Sequence, residues 1–199
     1  LTKSFDKKTI FKDVDISISN GDKIALIGKN GMGKSTLIKS IVKDIEFEGE
    51  INLGHQVMIG YFAQDEAQKL NPNISVFDTI DEVAVGEIRK KIRQILGSFL
   101  FSGDDAEKKV QVLSGGEKTR LSLCKLLLQP NNFLILDEPT NHLDMASKEI
   151  LKEALLNYKG TLLLVSHDRD FLDGLTDKVY FIKDQSVKVY HEKVSQFIK

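Results

Sequence analysis

The fold is decided by one stretch of the sequence, which reads Lys23-Ile24-Ala25-Leu26-Ile27-Gly28-Lys29-Asn30-Gly31-Met32-Gly33-Lys34-Ser35. Its first five residues form an apolar run of strand length, and the rest fits the pattern G-x-x-x-x-G-K-[ST]. The next segment, Ser35 to Val42, has apolar residues spaced for one face of a helix. A strand, a glycine-rich loop and a helix in this order predict a phosphate-binding loop at a helix N-terminus.

The residue types of this loop suit a nucleotide. Glycines allow backbone conformations that a Cβ disfavours, so the loop amides can turn toward phosphate oxygens. Lys34 supplies positive charge for the β- and γ-phosphates, and Ser35 or Thr36 can reach a magnesium ion or a phosphate. The predicted binding residues are Gly28, Lys29, Asn30, Gly31, Met32, Gly33, Lys34, Ser35 and Thr36. The loop alone leaves kinases, GTPases and ATPases open, and a glycine-rich turn with an exposed lysine is the alternative.

Two carboxylates follow a second apolar run, Phe133 to Leu136. Asp137, at the end of this predicted strand, can help to hold magnesium. Side chains alternate along a strand, so Glu138 is expected to point the other way and to act as general base toward the attacking water. His167 follows the next apolar strand, Thr161 to Val165, and is expected to meet the γ-phosphate end of the site. The alternative for the two carboxylates is that they only end a strand and begin a turn, and the alternative for His167 is a structural role.

Apolar strands alternate with helical patterns along most of the chain, which predicts an α/β fold with a mainly parallel sheet flanked by helices. Residues 1–64 and 130–199 are expected to form this core, and 65–129 a mainly helical subdomain. Further strands are predicted over Ile10–Ser19, Gly49–Leu53 and Val57–Phe62, and a closing antiparallel hairpin over Val179–Ile182 and Ser186–Tyr190. Helices are predicted over Ser75–Val83, Glu87–Leu96, Glu117–Leu128 and Met145–Tyr158.

Composition excludes several classes of protein. The 199 residues include 28 Lys plus Arg and 29 Asp plus Glu, so the net charge is 28 − 29 = −1 and attracts no nucleic acid over the whole domain. The single cysteine, Cys124, excludes a disulfide framework and favours a reducing compartment. No apolar run approaches the roughly 20 residues of a membrane span. Because the sequence starts at Leu1 and carries no signal peptide, we expect a fragment of a longer chain.

The segment Leu113-Ser114-Gly115-Gly116-Glu117 identifies the family that the sequence resembles. It matches the signature of ATP-binding cassette (ABC) domains, and the other motifs of a P-loop NTPase cassette occur in the expected order. The resemblance implies that the ligands are ATP and Mg²⁺ and that Lys34, Glu138 and His167 are catalytic. It also makes Gln64 the glutamine that contacts ATP and metal, Asp144 the D-loop aspartate, and Ser35 and Asp137 metal ligands. Phe5 matches the aromatic residue that stacks on adenine, and an ordinary core role is the alternative for it.

The resemblance also implies a composite site, because the signature of one cassette contacts the γ-phosphate bound by the opposing cassette. Ser114, Gly115, Gly116 and Glu117 would therefore act on the site of a partner, which is a second cassette of the same chain or a second copy. Turnover is expected to be efficient only in such a pair.

Two further segments narrow the subfamily. Asp137-Glu138-Pro139-Thr140-Asn141-His142-Leu143-Asp144 and Ser166-His167-Asp168-Arg169-Asp170-Phe171-Leu172 resemble the ABC-F proteins, cytoplasmic tandem cassettes that act on ribosomes, rRNA and tRNA. Gln64 to Leu113 leaves little room for an inserted arm, so the chain resembles the second cassette. The motor subunit of a membrane transporter and a regulatory module without turnover are the alternatives. The short basic cluster Lys90-Lys91 with Arg93 is better interpreted as a solvated helix face than as an RNA-binding patch.

Overall fold

The computed structural model describes residues 1–5 and 8–197, and the chain within it forms two compact units. The first unit comprises Leu1–Tyr61, Asn132–Asp137 and Lys159–Lys199. The second comprises Phe62–Asn131 and Glu138–Tyr158. The division expected from the sequence differs from this grouping, since it assigned residues 62–64, 130–131 and 138–158 to the core.

The first unit is built on a six-stranded sheet in the order β4-β5-β6-β3-β7-β8. These strands span Lys23–Ile27 (β3), Ile59–Phe62 (β4), Phe133–Asp137 (β5), Thr161–Val165 (β6), Lys178–Lys183 (β7) and Ser186–Tyr190 (β8). β3 is parallel to β6 and β7, β5 is parallel to β6, and β8 closes the sheet antiparallel to β7. The predicted α/β fold with a mainly parallel sheet and an antiparallel part is confirmed.

The central strands β5 and β6 are buried at every residue, which explains their continuous apolar sequences. In chain order, β3 is followed by α1, Lys34–Ile41, and then by β4. Leu37 and Ile38 of α1 are buried in the core of this unit. A separate two-stranded hairpin, β1 (Lys3–Phe5) with β2 (Lys8–Phe11), and two short helices, α7 (Arg169–Leu172) and α8 (Val194–Phe197), complete the regular elements.

The second unit is helical. Its α-helices are α2 (Val76–Asp81), α3 (Glu87–Lys90), α4 (Ile92–Ser98), α5 (Gly115–Leu128) and α6 (Met145–Asn157), joined in part by short 3₁₀ turns. Apolar side chains from these helices and from the segments between them form a second core, which includes Ile80, Leu96, Phe101, Leu121 and Cys124. Because Cys124 is fully buried there, it behaves as a small hydrophobic residue.

Three predicted elements differ from the structure. The strand expected over Ile10–Ser19 ends at Phe11, and Gly49–Leu53 forms no strand. The alternation still marks the inward face, because Val14 is buried and Ile16 and Ile18 pack against the core. The helix expected over Glu87–Leu96 is interrupted at Lys91, where φ is −111° and ψ is 9°, outside the helical region.

Within the described residues, none of the helices combines the length and the apolar composition that a membrane crossing requires. The longest, α5, has 14 residues and includes polar and charged side chains on part of its surface.

Candidate functional site

The predicted phosphate loop leaves the end of β3 and enters α1, as expected from the sequence. Gly31 and Gly33 have positive φ values of 77° and 99°, a region that favours glycine. A Cβ at Gly33 would also lie 2.5 Å from the Ile10 side chain and 2.7 Å from that of Phe11. Backbone conformation and packing therefore both require glycine at position 33.

The N-terminus of α1 has no side-chain cap and no acidic residue in its first turn. By contrast, α5 and α6 are capped by Ser114 and Asp144. Uncapped amides at the start of a helix carry partial positive charge and attract anions. This end of α1 is thus suited to phosphate oxygens.

The Lys34 ammonium is held over the loop. Its Nζ donates to the carbonyl oxygen of Gly28 at 2.8 Å, and the Asn30 Oδ1 lies 3.3 Å away. An ammonium in this place adds a full positive charge to the partial charges of the α1 N-terminus.

The loop is joined to the second acidic element by a side-chain hydrogen bond. The Ser35 Oγ donates to Oδ2 of Asp137 at 2.9 Å, although the two residues are 102 positions apart in the chain. Asp137 is the last residue of β5 and is only 6% exposed. The hydroxyl and carboxylate predicted to hold magnesium are therefore adjacent in the first unit.

Burial raises the pKa of the Asp137 carboxyl above its ordinary value, because a buried charge loses its hydration. The hydrogen bond from Ser35 and the charges of Lys34 and Lys39 act in the opposite direction without cancelling this effect. A cation bound beside Asp137 would offset the cost of keeping this carboxylate ionised.

His167 lies at the same edge of the sheet. β3, β5 and β6 run parallel, with Ala25 opposite Leu164 and Asp137 opposite Val165. Parallel strands end at one edge, so the phosphate loop, Asp137 and the segment after β6 follow neighbouring strand ends. His167, two residues beyond Val165, is exposed.

Three other predicted site residues are not brought into this group by the described contacts. Glu138 belongs to the second unit and has a φ of 53°, so the strand alternation used to orient its side chain does not apply. A non-glycine residue in this region is conformationally strained, which is common at functional positions. Gln64 comes two residues after the end of β4 and belongs to the second unit. The side chain of Phe5 lies outside the described part of the chain.

The signature begins α5. The helix starts at Gly115, two residues before the predicted start at Glu117, with Ser114 as its N-cap. Ser114 Oγ accepts from the Glu117 amide at 3.2 Å, and Glu117 Oε2 accepts from the Ser114 amide at 2.7 Å. This capping box leaves the Gly115 and Gly116 amides without a hydrogen-bond acceptor among the described residues.

The two signature glycines have different surroundings. A Cβ at Gly116 would lie 2.7 Å from the carbonyl oxygen of His142, whose φ is 66°. At Gly115, none of the described neighbouring atoms comes within 4 Å of the same position. Packing inside the second unit thus explains Gly116 but gives no reason for a glycine at 115.

Asp144 caps α6, since its Oδ1 accepts from the Ser147 amide at 2.8 Å. Hydrogen bonds from the Ser147 side chain and amide lower the pKa of the Asp144 carboxyl. Asp144, which the resemblance makes the D-loop aspartate, is therefore hydrogen-bonded to Ser147 within its own unit.

Sequence reasoning missed Arg120, which is 9% exposed and donates from Nη1 to the Ser147 Oγ at 2.7 Å. The sequence holds one indication of this burial, because Arg120 directly precedes Leu121 in the apolar pattern of α5.

Several known proteins are similar to this chain. The family profile described as ABC transporter matches residues 11–141. The chain is 41% identical over 201 residues to ABC transporter F family member 2 of Arabidopsis thaliana, covering 100% of the chain and 30% of that protein. It is 44% identical over 181 residues to the ATP-binding protein Uup of Haemophilus influenzae, covering 88% of the chain and 28% of that protein.

Among solved structures, the chain resembles a dimeric ATP-binding cassette, MJ0796, in a post-hydrolysis state with bound ADP and Pi. The TM-score is 0.74 at 21% identity, over 96% of this chain and 94% of that one. This likeness supports the cassette fold. With the family profile spanning most of the chain, it follows that the protein belongs to the ABC transporter family and is one of its ATPase domains.

Proposed function

We propose that this chain binds ATP with Mg²⁺ at the α1 loop and hydrolyses it in a pair with a second cassette. The observation that supports this most directly is the Ser35–Asp137 hydrogen bond of 2.9 Å, which joins the phosphate loop to the acidic strand end. A glycine-rich turn with an exposed lysine would not require that connection.

In the proposed reaction, the loop amides and Lys34 hold the β- and γ-phosphates and oppose the charge that develops on them. Glu138 accepts a proton from a water molecule while the oxygen of that water attacks the γ-phosphorus. The bond from phosphorus to the β–γ bridging oxygen breaks, and ADP and inorganic phosphate leave. His167 contacts the γ-phosphate and stabilises the transferring group.

The residues of the first unit fit magnesium. Mg²⁺ prefers oxygen ligands and is commonly bound by one or two protein oxygens together with phosphates and water. The Ser35 hydroxyl and the Asp137 carboxylate provide such oxygens, and the buried Asp137 lacks a compensating ion pair within 4.0 Å in the described chain. Within that chain no cluster of three or more His, Cys, Asp or Glu side chains offers an all-protein metal site. When bound there, Mg²⁺ would neutralise phosphate charge, and Gln64 is the further ligand that we propose.

Asp137→Asn should raise the thermal midpoint of the metal-free protein at pH 7 while reducing Mg²⁺-dependent ATP hydrolysis. Because the folded-state pKa of Asp137 is raised, its ionisation costs stability above that pKa. The gain should shrink as the pH falls below the folded-state pKa and vanish below the unfolded-state pKa of the carboxyl, where both states are protonated. Thermal scans across pH test this, with the exposed Asp173→Asn as control. A midpoint lowered at pH 7 would contradict the assigned cost of burial.

Glu138→Gln should leave ATP binding intact and slow hydrolysis by about 10²-fold or more, since the water loses its base. Equilibrium binding of a fluorescent ATP analogue and phosphate release by the paired cassettes are the measurements. Glu149→Gln, an exposed substitution on α6, is the matched control. Unchanged turnover in Glu138→Gln would remove this residue from the role of base.

The signature supports the need for a partner cassette. Two amides at the start of α5 donate to no described group, and Gly115 faces open space within its own unit. Two large apolar side chains adjoin the signature and the D-loop, with Val112 66% and Met145 71% exposed. Donors and apolar surface that the unit does not use itself are consistent with a second cassette that binds phosphate against this end of α5.

Gly115→Ala should fold as well as the wild type but hydrolyse ATP more slowly in the paired protein. Open space and a position inside α5 accept a methyl group, so only an external phosphate or cassette would clash with it. Gly116→Ala is the contrasting variant, expected to lower the unfolding midpoint because of the His142 carbonyl. Thermal scans and steady-state ATPase rates separate the two. Full activity in Gly115→Ala would argue against a close approach at the signature.

We further propose that the parent protein is a cytoplasmic ABC-F protein that acts on the ribosome in translation or in antibiotic resistance, with this chain as its second cassette. The chain spans about 30% of the length of its curated relatives, two of which are named as F family members. The pattern around Asn141-His142 and Asp168-Arg169 supports this assignment. The basic cluster does not contribute, because Lys90 pairs with Glu87 at 2.7 Å and Arg93 with Glu107 at 2.6 Å.

Sedimentation of the full-length protein with ribosomes tests this assignment. We expect ATP-dependent pelleting by the Glu138→Gln protein, which retains ATP, and loss of pelleting when Lys34→Ala is added to weaken phosphate binding. No pelleting, together with co-purification of membrane subunits, would instead favour the transporter motor.

A further inference from the structure

Arg120 is a buried charge inside a helical core. It lies on α5, six residues after the N-cap Ser114, and is 9% exposed among side chains such as Phe101 and Leu121. A guanidinium stays protonated at any physiological pH, so burial here buries a full positive charge. Such a charge is costly unless the surroundings compensate for it.

The compensation is incomplete. Nη1 donates to the Ser147 Oγ at 2.7 Å, and the guanidinium carbon lies 4.7 Å from the centre of the Phe101 ring, a cation–π contact. Nε is buried and has no hydrogen-bond acceptor in the described chain. Nor does any described carboxylate approach within the 4.0 Å of an ion pair.

This arrangement is a poor way to stabilise a core. Replacing a buried charged group by a well-packed apolar side chain of similar size is often neutral or stabilising. A methionine at position 120 would fill much of the same space without a charge. The reason for arginine therefore lies in what its hydrogen bond connects.

The bond connects the starts of two helices. Ser147 is in the first turn of α6, and its amide donates to Oδ1 of Asp144 at 2.8 Å while its hydroxyl is also hydrogen-bonded to that carboxylate. A chain of side-chain contacts thus runs from Arg120 through Ser147 to Asp144. A second contact parallels it, because the backbone at Gly116 closely approaches the His142 carbonyl.

Both helix starts carry a motif for which we have proposed a role at the opposing site. Among the described residues, the Gly115 and Gly116 amides at the start of α5 donate to no acceptor, and Asp144 caps the start of α6. Two contacts, one backbone and one through Arg120, join the helices close to these starts. Farther along α6, Ile150 and Ala154 pack against the helical core, so the Arg120 contact bears on the alignment of the starts and not on the docking of the whole helix.

We propose that Arg120 is a positioning residue that holds the signature and Asp144 in one rigid arrangement, so that both reach the opposing nucleotide together. This rests on the proposed composite site. Arg120 touches neither substrate nor metal; it acts through Ser147. The charge is retained for this alignment, at a cost to the stability of the unit.

The test uses the full-length protein with Arg120→Met, Ser147→Ala and the double variant. We expect an unchanged or higher unfolding midpoint for Arg120→Met, an unchanged KM for ATP, and a kcat lowered by about tenfold or more in each single variant, since small misplacements reduce rates strongly. The double variant should lose no more than either single one, because both interrupt the same connection.

Arg93→Met is the matched control, because exposed Arg93 also stands over an aromatic ring, Phe77 at 5.3 Å, without joining two helix starts. Its kcat should equal that of the wild type. Loss of stability at a constant kcat in Arg120→Met and Ser147→Ala, or additive losses in the double variant, would overturn the positioning role.

Ser114→Arg separates this inference from the proposed function, because a bulky side chain blocks the signature directly. If Ser114→Arg retains the wild-type kcat, the composite site itself is refuted. If it loses activity while Arg120→Met and Ser147→Ala do not, only the role of Arg120 is refuted.

Discussion

The parallel ladder that places β6 between β3 and β5 is the constraint on which the candidate site depends. It sets Ala25 opposite Leu164 and Asp137 opposite Val165, so the three strands finish at one edge. Only with this register can the Ser35 hydroxyl at the start of α1 reach a carboxylate 102 residues away. A shift by a single residue would turn Asp137 to the opposite face of the sheet.

The same ladder makes the site costly. The last residue of a fully buried strand is a poor place for a carboxylate, and burial raises the pKa of Asp137. Arg120 presents a similar case in the second unit, with a buried guanidinium whose Nε lacks an acceptor among the described groups. Both units thus keep a charged group where an apolar one would pack better, which is the usual sign of a functional constraint on a core.

The sequence predicted the features that local chemistry determines. Gly31 and Gly33 mark the loop because their backbone conformations favour glycine, and continuous apolar runs mark β5 and β6 because both faces are buried. The strands expected over Ile10–Ser19 and Gly49–Leu53 failed for a non-local reason. Alternation shows which face is buried, as at Val14 and Ile16, but a strand also needs a paired neighbour, and no alternation encodes one. Arg120 was missed because its burial depends on α6, far along the chain.

The N-termini of α1 and α5 show how two glycine-rich segments come to differ in use. At α1, the N-cap is Gly33, which has no side chain to bond the amides of the first turn. These amides are therefore available to a phosphate held by the loop that precedes the same helix. At α5, Ser114 and Glu117 satisfy each other and leave only the two glycine amides as donors. Two donors suit one phosphoryl group rather than a chain of phosphates. A Cβ at Gly115 would meet open space, which is consistent with a phosphoryl group from outside the unit. In the composite site that we propose, the capping box is thus the feature that distinguishes a contact in trans from a second binding loop.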